Sequence, residues 1–313
     1  MDAKGEHPPT PSAARRELAG LIVPLAAFII LALLAIIVEL VRDASGLPNG
    51  GDHDVADADT DGGTASGEAH LVARVRGTVM LEAIDERELI DPDFGADQDL
   101  LERTVQNACM AKADLIFLGG SLLTSTAFNR CVELVQQWSD RPVVLFPGSP
   151  AQLSAHADAV LFLSLISGRN PELLIGHHVT AAPTIRAMGI EAIPTGYMLV
   201  DGGKPTTVSY VSQTVPIPHD KPGIAAATAI AGELLGLRTI YMDTGSGAER
   251  TVSSEMIAAV RKSVDLPIII GGGIRDVATA RSLCEAGADV LVVGTAFEQD
   301  PEYIFAMSEA VHA

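Results

Sequence analysis

From residue 115 onward, short apolar runs rich in Val, Ile and Leu alternate with longer runs of helical period, and this alternation restricts the fold more than any other feature of the chain. The strand-like runs are 115–118, 142–146, 160–163, 191–199, 238–242, 267–270 and 290–293. A helix-like run at 100–112 precedes the first of them, and others at 127–138, 172–188, 223–235, 253–264 and 276–286 separate all but 142–146 from 160–163. Such alternation implies a parallel sheet with right-handed crossovers. Two stretches compete for the first strand. Residues 77–85 have the better strand pattern, whereas 88–90 stand just before Asp91-Pro92-Asp93. Eight strands in one domain favour closure into an α/β (β/α)8 TIM-like barrel over an open doubly wound sheet. Residues 71–313 match the usual barrel length of about 250 residues. After 143–146, Pro147-Gly148-Ser149-Pro150 and 151–157 leave little room for a helix. The expected barrel therefore lacks one outer helix. That gap either admits a long apolar tail or is a shortened connection with no role.

The residues before the barrel are of three kinds. Residues 1–16 form a polar tail. Residues 17–42 are expected to be a single transmembrane helix, because 18–38 run without a charge for about 31 Å as a helix, the thickness of a bilayer core. Residues 43–70 contain seven acids and no Lys or Arg, a composition that reads as an acidic flexible linker. Positive-inside counting of Lys4, Arg15 and Arg16 against Arg42 would place the barrel outside. Reduced cysteines, together with the phosphate-type loops described next, favour a membrane-anchored barrel on the cytoplasmic side, and that is the expectation adopted. The net charge of −19 leaves 29 acids against 17 bases in the barrel region, which argues against nucleic acid as a partner. Only five of the 21 basic residues are Lys, compatible with a high-salt habitat or with an ordinary acidic enzyme. Cys109, Cys131 and Cys284 have no metal-like spacing and read as small core residues.

Chemistry concentrates at the ends of the strand-like runs. Tyr241-Met242-Asp243-Thr244-Gly245-Ser246-Gly247, Gly271-Gly272-Gly273 and Gly294-Thr295 each follow an apolar run and open towards a helix. Glycines there allow backbone N–H groups to approach an anion, and the following helix N-terminus adds partial positive charge. Consecutive strand ends of this kind hold phosphate in (β/α)8 barrels. Tyr241 and Asp243 point the same way on a strand and would reach a polyol whose phosphate sits at Gly272, Gly273, Gly294 and Thr295. The competing reading of Tyr241 is core packing. Arg275 either neutralises phosphate or pairs with Asp276. Asp91 and Ser121, at the mouths of the first two strands, could share a Mg²⁺; otherwise Asp91-Pro92-Asp93 is a turn and Ser121 a helix cap. His177 and His178 are adjacent on a helix and do not share a face, so a metal pair is not expected; one should be packed and the other solvated.

Taken in order, several motifs resemble the geranylgeranylglyceryl phosphate synthases. They are Leu89-Ile90-Asp91-Pro92-Asp93, Gly119-Gly120-Ser121, Leu145-Phe146-Pro147-Gly148-Ser149, residues 163–171 (LSLISGRNP), 193–198 (IPTGYM), 217–222 (IPHDKP), 241–248 (YMDTGSGA) and 271–275 (GGGIR). The resemblance covers about residues 87–305. It implies a TIM barrel lacking one outer helix that joins a polyprenyl, usually geranylgeranyl, diphosphate to the 3-hydroxyl of sn-glycerol 1-phosphate. Pyrophosphate leaves and Mg²⁺ is required. It also implies that Asp91 and Ser121 touch Mg²⁺. Glycerol phosphate would be held by Tyr241, Met242, Asp243, Thr244, Gly245, Ser246, Gly247, Gly272, Gly273, Gly294 and Thr295. The family spacing from Asp91 to Ser121 selects Asp91 over Asp85. Two positions depart from the pattern: Phe94 stands where a basic residue is common, and Asp243 where many members carry Glu.

On this reading Tyr241 and Asp243 are the catalytic pair, Asp243 accepting the hydroxyl proton and Tyr241 orienting the acceptor. Two alternatives use the same residues: prenyl transfer to another small phosphorylated acceptor, or a membrane-tethered, catalytically silent phosphate-binding barrel.

Overall fold

The computed structural model describes residues 78–82 and 95–97 as backbone, and residues 98–121, 127–294 and 303–312 with their side chains. Eight parallel strands close in chain order into a barrel: β1 (Thr78–Glu82), β2 (Leu115–Leu118), β3 (Val143–Leu145), β4 (Ala159–Leu165), β5 (Glu191–Leu199), β6 (Thr239–Asp243), β7 (Ile268–Gly271) and β8 (Val290–Val293). The ring closes where Thr78 of β1 pairs with Val290 of β8. The polar tail, the apolar run at 18–38 and the acidic stretch at 43–70 lie outside the described residues. Among the described residues no helix is long and apolar enough to cross a membrane.

The short apolar strands are buried on both faces, which is why they read as continuous runs rather than alternating ones. One parity fills the barrel: Leu115, Phe117, Val144, Leu161, Tyr197, Leu199, Tyr241, Ile269 and Val292 form one cluster. The other parity, including Ile116, Leu145, Val160, Met198, Met242, Ile270 and Val293, packs outward with the helices. Those helices are α1 (Gly95–Met110), α2 (Phe128–Trp138), α3 (His177–Met188), α4 (Thr207–Ser212), α5 (Pro222–Leu234), α6 (Ser254–Arg261), α7 (Val277–Ala286) and α8 (Tyr303–His312). Starts are marked by local chemistry. Ser253 accepts a hydrogen bond from the Met256 amide, Asp276 accepts one from the Thr279 amide, and Pro222 occupies the first turn of α5.

Three features differ from, or refine, the expectation. The first strand is Thr78–Glu82, within the stretch of better strand pattern, and its backbone pairs with β2 through Met80↔Leu115. Asp91 therefore does not directly follow this strand, contrary to the expectation from sequence; it and residues 88–90 lie outside the described residues. The connection after β5 carries a short helix, α4, that the sequence reading did not anticipate. The Thr206 amide donates to Ser209 Oγ at 3.0 Å within a capping box, so six polar and β-branched residues suffice to make the turn. A π-helical turn (Glu172–Gly176) leads into α3.

The expected missing helix is missing. No helix stands between β3 and β4; the chain crosses in turns pinned by polar side chains. The buried Gln152 accepts from the Gly148 amide at 2.8 Å and donates to the Gly120 carbonyl at 3.1 Å, tying this crossing to the loop after β2. The two loops touch backbone to backbone. A Cβ on Gly119, whose φ is +152°, would collide with the Phe146 carbonyl, and one on Gly148 with that of Gly120. Glycine is required at both by contact alone.

Candidate active site

At the C-terminal mouth of the barrel, β6 ends in Asp243, whose carboxylate is buried. Its Oδ1 accepts from the Gly245 amide at 2.8 Å, and its Oδ2 accepts a short hydrogen bond from the Tyr197 hydroxyl. Burial, the larger effect, pushes the Asp243 carboxyl above the usual carboxylate range, and the Tyr197 and backbone hydrogen bonds oppose it. A buried carboxylate with a raised pKa at a cavity wall is suited to accept a proton near neutral pH.

Tyr197 was not singled out as a catalytic or binding residue from the sequence. Register shows how it arrives: Tyr197 lies beside Tyr241 and Leu199 beside Asp243 in the β5–β6 pairing. All four therefore share the inner face, and a tyrosine one step below the carboxylate on the next strand has the reach to meet it. Tyr241, expected to orient the substrate, is only 1 % exposed and does not line the cavity. Its ring stacks on Phe146 at 5.1 Å and meets Tyr197 edge-on at 5.4 Å, and its hydroxyl lies beneath Gly271. The packing reading of Tyr241 fits its surroundings, and Tyr197 is the tyrosine that holds Asp243.

A cavity of about 140 Å³ begins at Asp243, Ser246 and Tyr197 and passes Gly120, Ser121 and Phe146. It continues along both faces of β4, past Leu161, Leu163 and Leu165 on one side and Val160 and Phe162 on the other. Leu153, Ala181 and Ile185 extend its apolar wall into the place where the helix between β3 and β4 is absent. His178 is the buried member of the histidine pair: its ring lies edge-on to Phe162 at 4.3 Å, with Nε2 3.2 Å from Ser164 Oγ. Desolvation pushes its pKa down, so it is held neutral in this apolar wall. His177 is half-buried on the cavity edge.

The glycine-rich strand ends adjoin Asp243 through Gly245, whose backbone lies against Gly272, and these glycines do not line the cavity. Gly245, Gly247, Gly272 and Gly273 all have positive φ. At Gly272 a Cβ would strike Thr244 Oγ1, and at Gly273 it would come within 2.6 Å of the Arg250 backbone. The loops after β6 and β7 are thus in backbone contact, and only glycine permits it. Met242 points outward into the helix-side core, and Thr244 is buried beside Gly271. Gly294 follows β8 at the same mouth; Thr295 lies outside the described residues. Arg275 does not pair with Asp276. It donates to the Ala248 carbonyl at 2.7 Å, bracing the loop after β6, while Asp276 caps α7. Ser121 is half-buried on the cavity wall. Its partner in the expected Mg²⁺ site, Asp91, lies outside the described residues. Among the described residues no three His, Cys, Asp or Glu side chains converge as a metal cage.

With the geometry established, similarity gives it a context. The sequence pattern of the PcrB family matches residues 83–311. A geranylgeranylglyceryl phosphate synthase from Chitinophaga pinensis is 53 % identical over 225 residues, covering 72 % of this chain and 89 % of that protein. One from Korarchaeum cryptofilum is 42 % identical, again over 225 residues, with coverage of 72 % and 92 %. Among solved structures, (S)-3-O-geranylgeranylglyceryl phosphate synthase from Thermoplasma acidophilum, in complex with sn-glycerol-1-phosphate, superposes with a TM-score of 0.67 at 32 % identity. The match spans 77 % of this chain and 94 % of that one.

Proposed function

The chain belongs to the PcrB family, and from that membership and the geometry of the mouth we propose that it transfers a polyprenyl group from its diphosphate to the 3-hydroxyl of sn-glycerol 1-phosphate. The observation that carries this reading is the position of Asp243, which lines the end of the apolar cavity and is bonded to the first glycine of the loop after β6. A proton acceptor, Asp243, stands between glycine-rich strand ends suited to phosphate and an apolar trough suited to a hydrocarbon tail. A polar head and a greasy tail meet at the carboxylate, which is the layout that joining them requires.

In this reading the backbone amides near Gly272, Gly273 and Gly294 hold the acceptor's phosphate, and Ser246 lies beside its carbon chain. Asp243, fixed by Tyr197 and the Gly245 amide, accepts the proton of the attacking hydroxyl as the new C–O bond forms at the allylic carbon and the diphosphate leaves. The trough along β4 and α3 excludes water from that carbon. Mg²⁺, when bound, would neutralise the leaving diphosphate, with Asp91 and Ser121 as its protein ligands. The donor set fits an ion that takes one or two carboxylates and leaves its other positions to phosphate and water. Geranylgeranyl is the donor suggested by the relatives' names. The run at 18–38 is proposed as a membrane anchor that keeps the barrel, on the cytoplasmic side, near an amphiphilic donor and product.

Calorimetry tests the acceptor end. Gly273→Val should weaken sn-glycerol 1-phosphate binding by about tenfold or more, because a side chain enters the turn that aims the amides. Unchanged affinity in a folded variant would remove the phosphate from this site.

A further inference from the structure

Among the described residues, the mouth of the barrel carries large apolar side chains that stand exposed. Tyr210 is 84 % exposed and Val215 85 %, and Val211, Ile175 and Ile224 are exposed as well. All five lie at one end of the barrel. Each helix begins where its preceding strand ends, so Ile175 in the turn before α3 and Ile224 in the first turn of α5 stand at the strands' C-terminal side. Tyr210 and Val211 belong to α4 and Val215 follows it, in the connection after β5. Thr214 adjoins Gly168 in the loop after β4, which ties this segment to the trough's own strand. Residues 205–217 carry no charge at all, in a chain where 19 % of residues are charged, and Lys204 stands at their border.

The patch is continuous with the cavity, because Val211 both lines the cavity and faces solvent. That continuity selects the occupant. A second copy of the chain seated here would close the opening through which a hydrocarbon tail must enter. A lipid surface would extend the apolar trough instead, since exposed Tyr and Val on a charge-free segment, with a flanking Lys stem, are the side chains that settle at a bilayer interface. We propose that this rim, centred on Tyr210, Val211 and Val215, inserts into the interfacial layer of an electrically neutral membrane and admits the prenyl donor sideways into the trough. The inference rests on the prenyltransferase reading for its substrate. It is separate from the anchor at 18–38, which would hold the chain at a membrane whether or not the rim touches lipid. The acidic barrel region points to zwitterionic rather than anionic lipid.

A local probe tests it in the full-length chain. The single tryptophan, Trp138, ends α2 and so lies at the opposite end of the barrel. The Tyr210→Trp, Trp138→Phe double variant should show blue-shifted emission and strong quenching with phosphatidylcholine vesicles brominated in the acyl chains. The wild-type protein, reporting from Trp138 on the same vesicles, should show neither. Val215→Asp should raise KM for a vesicle-borne prenyl diphosphate roughly tenfold while leaving turnover on detergent-dispersed donor unchanged. The detergent rate reports on folding and on the prenyltransferase reading independently of the rim. An indole at position 210 that stays unquenched on vesicles overturns the proposal. So does a blue shift that appears without vesicles and tracks a doubling of molecular mass, which would assign the patch to a second copy.

Discussion

At the scale of single residues, the proposed mechanism turns on the environment of Asp243. Its carboxyl is pushed up by burial, so in the folded protein it gives up its proton at a higher pH than in the unfolded chain, where a value near 3.9 is usual. The acid limb of kcat/KM should therefore fall above the ordinary carboxylate range, and Asp243→Asn should lower kcat by about 10²- to 10⁴-fold. The stability consequence has the opposite sign. A raised folded pKa means that the neutral carboxyl stabilises the fold below the unfolded pKa, and that this contribution is lost as pH rises through the folded pKa. Thermal melts of the Asn variant should accordingly gain on wild type as pH rises across that window. A gap independent of pH would mean that Asp243 is not desolvated.

At the scale of elements, the decisive departure is the helix that is not there. Pro147-Gly148-Ser149-Pro150 cannot nucleate a helix, and the crossing is held instead by Gln152 and by glycine-to-carbonyl contact. The gap lets the cavity run outward between β4 and α3. Ala181→Phe, which places a ring in that trough, should raise KM for long prenyl donors roughly tenfold in steady-state kinetics and leave glycerol phosphate affinity unchanged. Equal effects on both substrates would remove the trough from donor binding.

This element, and most strands, could be read in advance because each depends on local chemistry: apolar runs of strand length, prolines, and glycines at turns. What could not be read depends on register between distant segments. Tyr197 reaches Asp243 only because β5 and β6 pair Leu199 with Asp243, and nothing local in 191–199 reports that pairing. The burial of Tyr241 has the same origin, since Phe146 and Tyr197 cover it from neighbouring strands. Arg275 could not be assigned because its partner is a backbone carbonyl with no sequence signature. α4 was invisible because six residues of mixed propensity carry no helical period.

At the scale of the whole molecule, the barrel supplies chemistry and the preceding residues supply a proposed location. Deleting residues 1–70 should give a soluble barrel whose turnover on detergent-dispersed donor matches that of the full chain. On vesicle-borne donor the full chain should be faster, because tethering raises the effective concentration of an amphiphile without altering the reaction. An inactive truncation would make those residues part of the fold rather than an anchor. The central claim is prenyl transfer to one enantiomer of glycerol phosphate, and one measurement bears on it most directly. Purified protein is incubated with Mg²⁺, geranylgeranyl diphosphate and either sn-glycerol 1-phosphate or sn-glycerol 3-phosphate, and products are identified by mass spectrometry with pyrophosphate release followed in parallel. The account predicts a geranylgeranyl ether and stoichiometric pyrophosphate from the 1-phosphate, with little from its mirror image. Pyrophosphate without ether, or equal product from both enantiomers, would contradict it.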